Sequence, residues 1–361
     1  MADVSAIASC LQATLLPDQQ QRQAAELQLQ EAAMQPGYSV ALFRLAVDNA
    51  LQAEPVLRQT ASVHMKNMIN RRWDPPSKPL RGGEHIIAIP EADKASIRDN
   101  LVEAMCVALP QVRVQLGTCL RAAAHADYPD KWPTLLSTIC ANLNSAEPAR
   151  LHGGLFSLRV LAKVHQYRRE RVAPLHQLVA ETFPLLLNLM RSILGAPPSV
   201  ANSELALLAA KTMWSCTQID MPPLLLQPQS VEQWFEILLA LLGQPLPSEG
   251  APSDPEDAAK WPPWKVKKRV AQIVHRLLQR YGDPKRKRDG PGAKEALAFA
   301  QHFHDDWMTV CQRSCLGVLS LRANGTACPD RVVTLCLNYL EEGVRYKRAW
   351  SDLKPQVRVR L

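Results

Sequence analysis

Arg58-Gln-Thr-Ala-Ser-Val-His-Met-Lys-Asn-Met-Ile-Asn-Arg-Arg-Trp73 is the stretch that decides the fold. Around it Leu57, Ala61, Met65 and Met68 recur at steps of three and four residues and draw one apolar stripe along a helix. Gln59, Ser62, Lys66 and Asn70 draw a second stripe that is wholly polar. Such a helix packs on one side and keeps the other wet. No stretch of the chain shows the sustained alternation of a half-buried strand. The fold class is therefore all-α.

Working outward, Pro- or Gly-marked breaks separate further helices that fall into pairs. The pattern predicts helices over 4–15 and 19–34, then 40–51 and 58–73, then 91–107 and 112–126, then 131–143 and 149–165. Longer ones follow over 172–194, 199–219, 231–242 and 265–281, and a last pair over 294–321 and 330–347. Two stretches read as exposed loops. The first is the Pro-, Ser- and acid-rich 244–263; the second is 282–292, which carries Lys285-Arg286-Lys287-Arg288. Paired antiparallel helices at intervals of roughly forty residues match an α-α superhelix of HEAT repeats, a solenoid in which each unit packs on its neighbours. That architecture sets aside the two or three closed domains that a length of 361 residues would otherwise imply.

Composition narrows the function. The net charge is +8 and the pI about 9.1, which brings nucleic acid into view as a partner, although acids are interspersed throughout. Nine cysteines without regular spacing, behind an N-terminus with no basic secretory leader, read as small buried hydrophobes in a reducing compartment. The apolar runs 183–190 and 237–242 are too short to cross a bilayer, so a soluble intracellular chain with no membrane partner is expected.

Enzyme signals are weak. Gly82-Gly83 lacks the Lys-Ser/Thr of a phosphate-cradling loop. His302, His304 and Asp306 with Cys311 and Cys315 invite a metal reading. Cys311, however, stands about 13 Å along a helix from His302, too far for one ion. No catalytic residue, cofactor or metal is assigned. The Lys285–Arg288 run reads as a solvated loop, with a localisation signal or nucleic-acid patch as the alternative.

The opening stretch also carries a resemblance. Arg58-Gln59-x-Ala61, followed by Lys66-Asn67 and Trp73, resembles the second helical repeat of the importin-β (karyopherin-β) superfamily. Arg113-Val-Gln115-Leu116 with Thr118-Cys119 is similar to the inner helix of that family's third repeat. Asp127-Tyr128-Pro129-x-x-Trp132 is similar to the turn and outer helix after it, with Pro129 in the helix's first turn and Trp132 in the seam between repeats. Trp264-Lys265-x-Lys267-Lys268 with Leu277, Tyr281 and Gly282 resembles the importin-seven/importin-eight branch. So does 339–355, with Trp350, Leu353 and Lys354-Pro355. The basic charge departs from a family whose members are more often acidic.

The resemblance implies an importin-β N-terminal domain with Ran-binding repeats over 1–107 and further HEAT repeats over 108–361. With no capping unit at its end, the chain reads as the N-terminal portion of a longer receptor. Such a receptor is not an enzyme. It carries protein cargo through the nuclear pore, contacts Phe-Gly nucleoporins, binds Ran in its GTP form, works as a monomer and is found in cytoplasm, nucleus and nuclear envelope. The implied Ran-binding residues are Arg58, Gln59, Ser62, Lys66, Asn67, Asn70, Arg113 and Gln115. For Arg58 and Asn67 the competing role is bridging repeats through loop carbonyls. The Leu-rich 172–242 is the expected source of Phe-Gly grooves. Two alternatives stand beside this reading: a HEAT scaffold unrelated to transport, and a basic α-solenoid that binds nucleic acid.

Overall fold

The computed structural model describes residues 3–51, 53–78, 85–168, 172–286 and 293–352. Among them there is no strand, and the helices divide between two compact units, residues 1–164 and 165–361.

In the first unit α1 (Val4–Ala13) and α2 (Gln19–Ala32) form one antiparallel pair. They are followed by α3 (Tyr38–Val47) with α4 (Pro55–Arg72) and α5 (Glu91–Val107) with α6 (Pro110–Asp127), then by α7 (Leu135–Leu143) and α8 (Pro148–His165), which meet where Gly154 lies against Asn142 and Leu143. The helix starts follow from the sequence. Asp3 and Asp18 accept from the free N–H groups of α1 and α2. Pro55 and Pro110 open α4 and α6, where a missing N–H costs nothing. Gly37 precedes α3 with φ of 87°, a left-handed backbone that glycine adopts freely, and its N–H donates to buried Asp93 at 2.9 Å. One layer holds α1, α3, α5 and α7; α4 and α6 lie side by side in the other. Gly153 on α8 lets that helix approach α5 closely, since a Cβ there would sit 2.7 Å from the Cys106 Cα.

The second unit repeats the plan. Helices α9 (Val172–Gly195), α12 (Pro228–Gly243) and α16 (Met308–Ala323) form one layer, and α10 (Val200–Cys216), α14 (Pro262–Tyr281) and α17 (Asp330–Ser351) form the other. Short α11 (Pro223–Leu226) and α13 (Pro255–Lys260) and the ten-residue α15 (Ala293–His302) fill the connections. Partners recur at nearly constant sequence separation. Asp93 binds Ser39 and Asp127 binds Trp73 at 54 residues. Arg276 binds Trp214 at 62, and Gln279 binds Glu342 at 63. These are nearest-neighbour contacts of a helical repeat, spaced more widely than the forty residues expected because the helices and inserted segments are long.

Several boundaries differ from the sequence reading. The helix expected over 131–143 begins at Leu135; Tyr128–Pro129 is a cis peptide in a turn, so Pro129 does not open that helix. The loop 244–263 contains α13, because Asp254 accepts from Glu256 N and Asp257 N and caps it. The helix over 294–321 is interrupted by a π turn, Phe303–Trp307. His304, Asp305 and Asp306 therefore stand mid-element. As a whole, α9 is long and apolar enough to cross a bilayer, which the short-run criterion missed. Its Leu178, Phe183, Leu186 and Met190 are nevertheless buried against α10 and α12, as in the core helix of a helical stack. Gly82-Gly83, Lys287-Arg288, Leu353 and Lys354-Pro355 lie outside the described residues.

All nine cysteines are free and most are buried. Burial pushes the thiols of Cys106 and Cys328 up to about 11, those of Cys119 and Cys311 to about 12, and the Tyr38 phenol to about 12. A raised folded value means that the unfolded chain releases these protons first, near pH 8.5–10. Stability is thus full below about pH 8 and is lost progressively as pH rises from there through the folded values of about 11 and about 12. Burial of Lys267 and Arg276 works the other way, holding them down at about 8 and about 9, but they are two groups against the five named. In reductant, the melting temperature is expected to fall by at least about 5 °C between pH 8 and pH 10. A flat profile would contradict these assignments.

Candidate functional site

The sequence-derived residues converge on two neighbouring helices. Arg58, Gln59, Ser62, Lys66, Asn67 and Asn70 lie on α4, and Arg113 and Gln115 on α6. The core side of α4 is formed by Leu57, Ala61, Met65 and Ile69, whereas Met68 is only half-buried. The i, i+4 series therefore runs one step further than the sequence reading placed it. Ser62 requires a correction: it is fully buried and its hydroxyl donates to the Gln59 carbonyl at 2.7 Å, so it does not belong to the wet face. Gln59, Asn67 and Asn70 are exposed, while Lys66 and Gln115 are half-buried. The Lys66 ammonium faces α6, where it opposes the burial that raises the Cys119 thiol.

Arg58 and Arg113 are engaged in the fold. Arg58 donates from Nε to the Ala53 carbonyl at 3.0 Å and from its terminal nitrogen to Asn49 Oδ1 at 2.9 Å, closing the loop that leads into α4. Arg113 donates to the carbonyls of Met105 at 2.8 Å and Ala108 at 3.0 Å, at the end of α5. Arg22 does the same on α2, reaching the carbonyls of Leu16 and Pro17. Each arginine is the fourth residue of its helix and meets the unpaired carbonyls of the preceding segment. Pro55-x-x-Arg58 and Pro110-x-x-Arg113 spell the device in sequence, a signal that the reading by apolar stripe passed over. Arg113→Ala is expected to lower stability by about 1–3 kcal/mol because it leaves buried carbonyls without donors. Asn70→Ala is expected to change it by less than about 0.5 kcal/mol. Urea melts that show equal losses for the two variants would contradict this division.

Two features beside the face escaped sequence reading. A groove of about 780 Å³ opens between α2, α4 and the segment 85–87; Asn67, His64, Met68, Leu27 and Met34 are among its lining residues. Leu27 and Met34 are both exposed and stand seven residues apart, outside the α2 core positions Ala25 and Leu29. That spacing was the available signal. Burial lowers the His64 pKa, with Glu26 opposing it. Behind the face, Asp127 is buried and accepts from the Trp73 indole at 3.0 Å and from Arg98 at 2.7 Å, which fixes the ends of α4 and α6. Trp132 is also buried, in the packing role.

Elsewhere, His302 pairs with Asp306 at 2.7 Å and His304 with Asp305 at 2.8 Å, while Cys311 and Cys315 are buried. What α4 and α6 present is hydrogen-bonding side chains and one ammonium on a firm support. That equipment suits recognition.

Comparison with known proteins bears on the same helices. Residues 25–107 match the importin-β N-terminal domain. The chain is 33% identical to the importin β-like SAD2 homolog of Arabidopsis thaliana, over 97% of its own length and 32% of that protein's. It is 30% identical to human importin-8, over 98% of its length and 33% of that protein's. A solved structure of the exportin Cse1 in its cargo-free, cytoplasmic state superposes with a TM-score of 0.70 at 16% identity, covering 96% of this chain and 35% of that one. The chain thus spans about a third of the length of the relatives it matches.

Proposed function

We propose, for a chain that belongs to the importin-β family, that it serves as a nuclear transport receptor governed by the small GTPase Ran in its GTP form. One observation carries the proposal. Gln59, Asn67 and Asn70 stand exposed on α4, with Lys66 beside them toward α6, inside the segment that matches the family's N-terminal domain. On this reading 1–107 is the Ran-binding domain and 108–361 continues the repeats. Arg58 and Arg113 position the face by closing loops rather than touching the GTPase. The receptor binds GTP-loaded Ran without hydrolysing the nucleotide, carries protein cargo in one direction or the other, and moves between cytoplasm and nucleus. A stack of helix pairs suits this work, because two ligands on one repeat array bias each other's fit through small shifts between units.

Passage through the pore also requires Phe-Gly contacts. In 172–242 Val172 is exposed, and Leu185, Leu189, Leu208 and Leu239 are half-buried beside the core residues Leu178 and Leu186. We keep this Leu-rich stretch as the candidate source of Phe-Gly grooves. Retention on immobilised Phe-Gly repeats, with loss of retention on a bait in which every Phe is Ser, is the expected result. Equal retention on the two baits would overturn the transport reading in favour of a scaffold.

A further inference from the structure

Between α2 and α4 the first unit is open. Where α4 and α6 pack directly on each other, α2 packs on α1 and stands off from α4. The gap is the groove of about 780 Å³ that Leu27, Met34, Met68 and Ile87 line. One side chain frames it. Arg72, the last residue of α4, donates to the Ala33 carbonyl at the end of α2 at 2.5 Å and to the Ile87 carbonyl at 2.7 Å. It thereby ties α2 and the segment 85–87 to α4 while leaving the space between them. The Ile89 N–H adds a bond to the Arg72 carbonyl at 2.9 Å.

What the groove exposes is at odds with a solvated surface. Leu27, Met34 and Ile87 are 61%, 57% and 55% exposed. The other exposed residues of α2 are Gln, Glu or Ala, so Leu27 stands out on an otherwise polar side. Large apolar side chains gathered in one concave place forgo roughly 25 cal/mol for each Å² that a partner would cover. Leu27 and Met34 are about 10 Å apart along the helix axis, the spacing at which a second helix laid alongside presents its own i and i+7 side chains. Met34 and Met68 are flexible enough to fit an irregular row.

The charges sort by wall. Glu26 and Glu31 flank the apolar row on α2; both are exposed, and among the described residues neither pairs with a Lys or Arg. The cations Arg71 and Arg72 stand on the far side, at the end of α4, with Arg72 engaged by its two carbonyls. Burial keeps His64, also on the α4 wall, toward its neutral form, with Glu26 opposing.

We propose that this groove is a docking site for an amphipathic helix of a protein partner, one whose apolar row fills the space between α2 and α4 and whose basic flank meets Glu26 and Glu31. An extended peptide would need the open edge of a sheet to pair with, and no strand lies among the described residues. Asn67 borders both the groove and the polar face of α4. Neither nucleotide nor GTPase enters this docking, however, and its failure would leave the Ran reading untouched.

The test is fluorescence anisotropy on the whole 361-residue chain at about 100 mM salt. The probe is a labelled Leu/Lys peptide of about fifteen residues, long enough to form a helix, with its Leu residues on one face. The controls are a scrambled peptide of the same composition and a Leu/Glu peptide of the same pattern. At a net charge of +8 the chain as a whole repels the Lys peptide and attracts the Glu peptide, so a preference for Lys reports the local acids. The Lys helix is expected to bind at least about tenfold tighter than either control. Leu27→Gln with Met34→Gln is expected to weaken it at least about tenfold while the melting temperature holds, because both side chains are exposed. Should that variant fold poorly, Leu27→Ala with Met34→Ala is expected to show the same direction of change. Glu26→Gln with Glu31→Gln is expected to weaken the Lys helix at least about threefold. Equal binding of the patterned and scrambled peptides, tighter binding of the Glu peptide, or unchanged binding in the folded Leu27→Gln, Met34→Gln variant overturns the proposal. Self-association in sedimentation that the same variant abolishes overturns it in favour of a second copy of this chain.

Discussion

Asp127→Ala is expected to destabilise the first unit by about 3–5 kcal/mol, the range for breaking a buried pair by removing one partner. The Asp127 carboxylate is nearly out of solvent and holds the Trp73 indole and the Arg98 guanidinium together. Alanine leaves the indole N–H without an acceptor, and Arg98, itself almost buried, keeps only Glu91. The loss should appear in a thermal or urea melt as early unfolding of residues 1–164, with slower change in 165–361. Asp127→Asn retains an acceptor for Trp73 and is expected to lose less. A melt of Asp127→Ala within about 1 kcal/mol of wild type would show that the knot does not hold α4 and α6 together.

Lys66→Glu is the functional counterpart. The side chain is half-buried but makes no ion pair among the described residues, and it points to the seam between α4 and α6. Helicity is expected to persist with a modest stability change of about 1 kcal/mol or less. Affinity for GTP-loaded Ran is expected to drop at least severalfold, because reversing a charge in a docked patch removes attraction and adds repulsion. Gln59→Glu on the exposed side of the same helix is a second probe that leaves the seam alone. Calorimetry that gives wild-type affinity for both variants would remove α4 from the GTPase surface.

The fold was legible where physics is local. Apolar spacing, prolines at helix starts and capping aspartates placed α5 at Glu91–Val107 to the residue and most other helices to within a few positions. The errors came where tertiary context rules. Nothing in Tyr128-Pro129 announces that the chain turns until Leu135, and the Asp254 cap was outweighed by the prolines around it. The π turn at Phe303–Trp307 joins rings that stack across elements, Phe235 on Trp307 and Phe299 on Phe303, which no single-helix periodicity contains. For the site, residue type and stripe identified α4 but not the fate of each side chain. Ser62 reads as polar and is buried by the close packing of neighbouring helices. Arg58 and Arg113 read as a binding surface, yet their guanidinium groups close loops, because unpaired carbonyls at helix ends attract the nearest donor.

The most direct test of a Ran-governed transport receptor is the affinity of this chain for Ran loaded with a non-hydrolysable GTP analogue, measured by calorimetry beside Ran loaded with GDP. Preference for the GTP form by at least about tenfold, in a one-to-one complex that Lys66→Glu weakens, is the expected result. Equal affinity for the two nucleotide states, or no binding to either, would contradict the assignment and leave these helix pairs as a scaffold.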